Sequence, residues 1–439
     1  MTLQNTINLQ ELLNSKSYRL QKLIFVLTFL IAFFDGYDTA VIGYIAPSLI
    51  QEWGIAKTAL TPVLSAALFG LATGAILSGP IADKLGRKWP LIMSVFIFAI
   101  GSLISAKAES LRALEIWRFI TGIGLGAAMP NAVTLLSEYS ADKNRARVVN
   151  TMFCGFPLGA ALGGFIAAYL IPEYGWRSTL IFGGILPALL GLVMIVYLPE
   201  SLCYLIALKT KQTAIVKIVQ RLNPSLKNTG YYFFEHQQAT ELSKKGIAIV
   251  MSKRYVAGSV LLWLCYFMGL IIFYGVMNWM PTLLGQTTLE PGTAKRLVGL
   301  FALGGLGAIA SGYLMDRYNP NILNAILALL TAILIAFIGQ GLSWGLMILV
   351  PIVILAGIVM NTLQASLPAV AALFYPTEGR TTGVSWMMGI GRFGAVAGSY
   401  LVAELVKRNY SLEEIFIVLA IPAVIMMFCL LLKQFIYKR

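Results

Sequence analysis

The sequence contains one histidine, His236, four cysteines, and few charges, since Asp, Glu, Lys and Arg make up only 12% of its 439 residues. Each scarcity excludes something. A single histidine leaves no histidine–carboxylate set for a metal and no serine–histidine pair for nucleophilic catalysis. No phosphate loop is apparent, and the glycine-rich stretches follow no strand as a dinucleotide site requires. No enzyme, catalytic residue, metal or cofactor is therefore expected, and His236 reads as a solvated residue. Cys154, Cys203, Cys265 and Cys429 are scattered without ligand or disulfide spacing, so they read as packing residues. The net charge of +14 could suggest nucleic acid. The basic residues instead occupy short turns between apolar runs, so no nucleic-acid partner is expected.

What the chain has in abundance is apolar surface: 58% hydrophobic residues and a mean hydropathy of +0.79. A helix needs about 20 apolar residues to cross a bilayer core, and lipid offers no partner for an unpaired backbone group. Runs of that kind occupy 23–47, 59–81, 89–106, 111–137, 146–171 and 177–198, then 254–284, 296–315, 320–340, 343–373, 381–405 and 412–436. The expected fold is all-α, with about twelve transmembrane helices in two pseudo-symmetric six-helix bundles, 23–198 and 254–436. A polar linker, 199–253, joins them. The first run is long enough to span, so no cleavable leader is expected. Lys and Arg concentrate in alternate loops, which places residues 1–22, the linker and 437–439 in the cytoplasm by the positive-inside rule.

Two arginines break the pattern by lying inside apolar spans, Arg118 in the fourth and Arg392 in the eleventh. Asp35 and Asp38, in the DGYD of the first span, are three residues apart and share a helical face. Intramembrane charge is costly and functional by default. A rise of 1.5 Å per residue puts all four charges in one layer, where they could enclose a site for an anion and a proton. Two structural salt bridges are the alternative. On the seventh span, YGVMNWMP places Tyr274, Asn278 and Trp279 to face either this cavity or the membrane interface.

The two halves echo each other at an offset of about half the chain, a repeat expected of a transporter. GPIADKLGRK (79–88) is answered by GYLMDRYNP (312–320), and Asp83 by Asp316. Positive-inside anchoring accounts for Arg87 and Lys88 but not for Asp83 or the glycines. Asp83 could accept bonds from a neighbouring helix N-terminus in one state and release them in another, which makes it a gate. Glu138, with Arg145 beyond the turn, is either a charge latch or a solvated surface group.

The order of residues in 79–88 matches the loop signature of the major facilitator superfamily. With FFDGYDTAVIGYIAPSL, RFITGIGLGAAMPNAVTLLSEY and YPTEGRTTGVSWMMGIGRFGAVAG, the chain resembles that superfamily's aromatic acid:proton symporters. The resemblance implies bacterial inner-membrane uptake of benzoate-like acids with the proton as coupling ion; a monomer in the lipid bilayer is expected. It carries the family's functional positions onto Asp35, Asp38, Asp83, Arg118, Glu138, Arg380 and Arg392. In the implied mechanism Arg392 or Arg118 holds the substrate carboxylate, with Asp35 or Asp38 binding the proton. Asp83, Arg87, Glu138, Arg145 and Arg380 serve as gating residues. Rival readings are a sugar or other metabolite carrier, suggested by PES at 199–201, and a transport-like membrane sensor, for which no signalling domain is present.

Overall fold

The computed structural model describes residues 12–14, 19–55, 61–208, 212–223, 246–285, 297, 300, 301, 303–341 and 343–437. His236 lies outside them. The described chain is helical throughout. Six traverses make the first bundle: α1 (Arg19–Trp53), α2 (Thr61–Leu85), α3 (Lys88–Ser105), α4 (Leu111–Glu138), the pair α5 (Arg145–Phe153) and α6 (Gly155–Tyr174), and α7 (Arg177–Tyr197). Short helices α8 (Leu202–Ala207), α9 (Gln212–Leu222) and α10 (Gly246–Val250) belong to the stretch between the bundles. The second bundle holds α11 (Val256–Gly285), α12 (Ala308–Met315) entered through a 3-10 turn at Gly304–Gly307, α13 (Pro320–Gly341), α14 (Leu346–Phe374), α15 (Thr377–Lys407) and α16 (Leu412–Ile436).

Nine of these helices are each long and apolar enough to cross a membrane. The other three traverses are less uniform. The α5/α6 traverse breaks at Cys154. Pro157 has no N–H to offer the Phe153 carbonyl, so the helix ladder opens beside it. The α15 traverse carries Arg392 among small and polar residues. Of the traverse before α13, only part lies within the described residues.

Glycines set the packing, because lipid-facing helices gain little from hydrophobicity and associate by close approach. Gly70 and Gly74 on α2 face Gly122 and Gly126 on α4. A Cβ at Gly74 would collide with the Ile123 carbonyl, and one at Gly126 with that of Leu71. In the second bundle Gly304 meets Gly357 of α14 in the same manner. Likewise α1 and α6 interlock through Gly36 against Phe156 and Gly159 against Phe33, matched by Gly394 and Gly398 of α15 against Phe267 and Ile271 of α11. The internal repeat is thus a repeat of contacts as well as of residues.

Candidate functional site

Two places gather polar side chains: a cavity between the bundles and a cluster at the face where α1 and α11 begin. The cavity encloses about 600 Å³, within the range of small-molecule sites. Its walls are mainly apolar and aromatic, with Phe153, Phe156, Phe273, Met129 and Met388 among them. Asp35 and Arg392 are the charged residues lining it. Asp35 is 2% exposed, and its Oδ1 has no hydrogen-bond partner among the described residues. Arg392 is half-buried and lies within electrostatic reach of Asp35 and of the Tyr274 hydroxyl.

The four intramembrane charges do not form one site. Arg118 grips Asp38 instead, its Nη1 2.8 Å from Oδ1 and its Nη2 2.8 Å from Oδ2. Both residues are buried, and neither lines the cavity. The shared face expected for Asp35 and Asp38 is split because three residues turn a helix through about 300°, leaving the side chains about 60° apart. On α1 that angle separates the side facing the cavity from the side facing α4. For Arg118 and Asp38, the salt-bridge alternative describes what is found.

Tyr274 faces the cavity. Trp279, further along α11, packs against the apolar core and is not among the lining residues. Asn278 belongs to the same helix, with its side chain outside the described set. Sequence reasoning missed Asn361 and Gln364 of α14, which line the cavity with Tyr266 and Thr39. The signal was present: two side-chain amides one helical turn apart inside an apolar span.

The second cluster closes the bundles against each other. The Asp83 Oδ2 accepts a bond from the Thr382 backbone N–H at 3.1 Å and a shorter one from the Thr382 hydroxyl. The Asp83 Oδ1 pairs with Arg87 at 3.2 Å. Arg87 is 1% exposed and donates across the interface to the Thr377 carbonyl at 2.7 Å. Burial works against its charge, but Glu138, Asp83 and Glu200 outweigh this and hold its pKa above the ordinary guanidinium value. The pseudo-symmetric contact is present too: Asp316 accepts from the backbone N–H groups of Ala146 and Arg147 at 2.8 and 3.1 Å, capping the start of α5.

Glu138 is buried, not a solvated surface group. Its Oε1 lies 3.7 Å from Arg87 and 3.6 Å from Arg380, and its Oε2 accepts a short bond from Ser201. Arg145, the expected latch partner, donates to the Ser137 carbonyl at 3.0 Å and pairs with Asp142 at 2.6 Å. The PES segment belongs here rather than to a sugar pocket. Glu200 accepts from the backbone N–H of Arg87 at 2.7 Å and of Lys88 at 3.2 Å, capping α3. Burial pushes its pKa up, and these two bonds, with a third from the Ser201 backbone N–H at 2.8 Å, pull the other way.

Comparison with known proteins shows the family and the fold. The model of the Major Facilitator Superfamily matches residues 28–399. The chain is 44% identical to the 4-hydroxybenzoate transporter PcaK of Pseudomonas aeruginosa over 411 residues, 93% of this chain and 92% of the relative. It is also 44% identical to the gallate transporter of Pseudomonas putida over 404 residues, 92% and 89% of the two chains. Among solved structures, the proton:xylose symporter XylE superposes with a TM-score of 0.77 at 18% identity, covering 97% of both chains. At that identity only the fold is shared.

Proposed function

The chain belongs to the major facilitator superfamily, among its aromatic-acid transporters, and from that membership we propose that it carries an aromatic carboxylate together with protons into a bacterial cell across the inner membrane. It is a transporter, not an enzyme. The observation that carries the finer reading is the pairing, in one largely apolar cavity, of a single arginine with a single buried carboxylate.

Arg392 would take the substrate carboxylate in a charge-assisted, two-point bond. The aromatic and aliphatic walls would receive the ring, whose transfer from water is favourable at about 25 cal/mol per Å² of apolar area. Asp35 would take the proton. A buried carboxylate that gains a proton needs no counter-charge, so loading both ligands keeps the cavity neutral, whereas loading either one alone leaves a net charge that makes closing costly. Alternating access then follows from the two bundles rocking about this site, with the Asp83 and Asp316 contacts holding one face shut and releasing in the opposite state. Both termini would lie on the cytoplasmic side, where the gate is, and a monomer would suffice because the cavity is built within one chain.

The test is uptake of labelled 4-hydroxybenzoate into proteoliposomes under an imposed pH gradient, alongside counterflow exchange without one. The parent should accumulate substrate, and a protonophore should abolish accumulation. Asp35→Asn mimics a permanently protonated carboxylate and should still exchange substrate without concentrating it. Accumulation driven by sodium and untouched by the protonophore would overturn the coupling, and normal accumulation by Asp35→Asn would remove Asp35 from it.

A further inference from the structure

Two arginines converge on one tyrosine at the gate face, where the bundles meet beside Asp316. The start of α5 and the end of α12 approach so closely that a Cβ at Gly312 would meet the Arg147 Cα at 2.6 Å, and Asp316 accepts the backbone N–H groups of Ala146 and Arg147. That contact brings Arg147 over the Tyr313 ring, its guanidinium carbon 4.5 Å from the centroid, while Arg317 reaches the same ring at 4.1 Å. Tyr313 and Arg317 are exposed and Arg147 is half-buried. None of the three lines the cavity. Ile309 and Tyr313, four apart on α12, share a helical face, and both are exposed. The stripe that meets lipid tails therefore ends at Tyr313, at the level where aromatic rings sit among headgroups.

A contact with a ring takes up none of the five N–H donors of a guanidinium. Among the described residues neither side chain pairs with a carboxylate, and the Arg147 Nε is buried without a partner. Asp316 is within electrostatic reach of Arg147, but its oxygens are engaged by the two backbone N–H groups. Residues 142–147 and 316–317 carry four basic side chains, Lys143, Arg145, Arg147 and Arg317, against two acidic ones, Asp142 and Asp316, and Asp142 is paired with Arg145. Unmatched positive charge at the membrane surface, presented as two planar forks over one ring, suits a phosphate that both can grip. A choline or ethanolamine headgroup would set an ammonium beside two guanidiniums, whereas an anionic phospholipid brings no opposing charge. We propose that Arg147, Tyr313 and Arg317 form a site for the phosphodiester headgroup of an anionic phospholipid in the leaflet at the gate face. Arg147 belongs to the first bundle and Arg317 to the second, so a headgroup held by both bridges the bundles and favours the state in which this face is shut.

The experiment offers the purified full-length protein mixed micelles holding equal amounts of phosphatidylglycerol and phosphatidylcholine, and counts the retained lipids by native mass spectrometry. The parent should prefer phosphatidylglycerol by roughly fivefold for each arginine that meets the phosphate. Arg317→Gln alters an exposed side chain and should lose about fivefold of that preference, and adding Arg147→Gln should abolish it. Equal melting temperatures of parent and variants in phosphatidylcholine alone report that the variants are folded. Arg254→Gln removes another exposed arginine that lies over a tyrosine, Tyr255, without a second arginine on the ring, and should leave the preference unchanged. Phosphatidylglycerol should also slow amide exchange at the start of α5 in the parent and not in the double variant. Equal retention of the two lipids by the parent would overturn the site, as would an unchanged preference in the double variant or an equal loss in Arg254→Gln. Displacement of the lipid by millimolar glycerol phosphate would make a soluble phosphate ester the ligand and overturn the lipid assignment. Exchange at α5 indifferent to the lipid would overturn the bridging.

Discussion

Arg118 and Arg392 are both arginines inside membrane spans, yet their surroundings give them different work. The Arg118 guanidinium is consumed by a bidentate bond to Asp38, so replacing one member strands the other in a dry interior. Arg118→Met should cost roughly 3–5 kcal/mol, read as a large drop in thermal stability in detergent. Arg118→Met with Asp38→Leu should recover much of that loss, since a well-packed apolar pair of similar volume is often neutral. A double variant as unstable as the single one would mean that the pair is not mutually satisfied. Arg392 faces the cavity, and Arg392→Lys keeps the charge but loses the planar fork. Affinity for 4-hydroxybenzoate should fall about tenfold, with little change in stability. Unchanged affinity would take the carboxylate away from Arg392.

Helices here are held together by the absence of side chains as much as by their presence. Gly74 lies where a Cβ would press on the Ile123 carbonyl, whereas a Cβ at Gly43 would meet nothing within 4 Å. Both are helix-interior glycines, for which alanine is intrinsically better by about 1 kcal/mol. Gly43→Ala should therefore be neutral or stabilising, and Gly74→Ala should lower the melting temperature by forcing α2 and α4 apart. Equal effects at the two positions would show that the α2–α4 approach is looser than described. The position of each helix along the chain was readable, because twenty apolar residues in a row have few other uses. Which faces meet was only half readable. Paired glycines four apart announce a close contact, but nothing in their spacing says that α2 meets α4 rather than α3.

In the proposed mechanism the two clusters of the whole molecule are coupled through the rocking of the bundles. With the Asp83–Thr382 and Asp316–α5 contacts made, the cavity is shut off at the gate face. From the start of α1, Asp35 stands about 24 Å along the helix and Tyr44 about 38 Å, so the lining residues extend toward the opposite face. A single cysteine at Thr39, in a background without the four native cysteines, should react with a membrane-impermeant maleimide from that opposite face and be protected by substrate. Asp83→Asn removes the charge that holds Thr382 and Arg87, so it should let the reagent in from the gate face as well and slow transport. Substrate binding should stay within a few-fold of the parent. An Asp83→Asn variant labelled like the parent would leave the gate reading without support.

Composition alone determined the medium, and hydrophobic length determined the number of traverses, because the bilayer accepts backbone only in forms that satisfy themselves. The internal repeat determined that there are two bundles, and residues 79–88 pointed to a place where they touch. The partners of the intramembrane charges were decided elsewhere. Asp35 and Asp38 are equivalent in spacing, depth and chemistry, and only the rotation of α1 against α4 turns one toward Arg118 and leaves the other in the cavity beside Arg392. The order of residues left Glu138 open between a latch and a surface group and gave no reading of Glu200, since their surroundings depend on the approach of α2, α3, α8 and α15 at one point. Asn361 and Gln364 were visible as polar residues in an apolar run. That their nitrogens are engaged depends on which carbonyls the neighbouring helices present to them, and that is a property of packing, not of order along the chain.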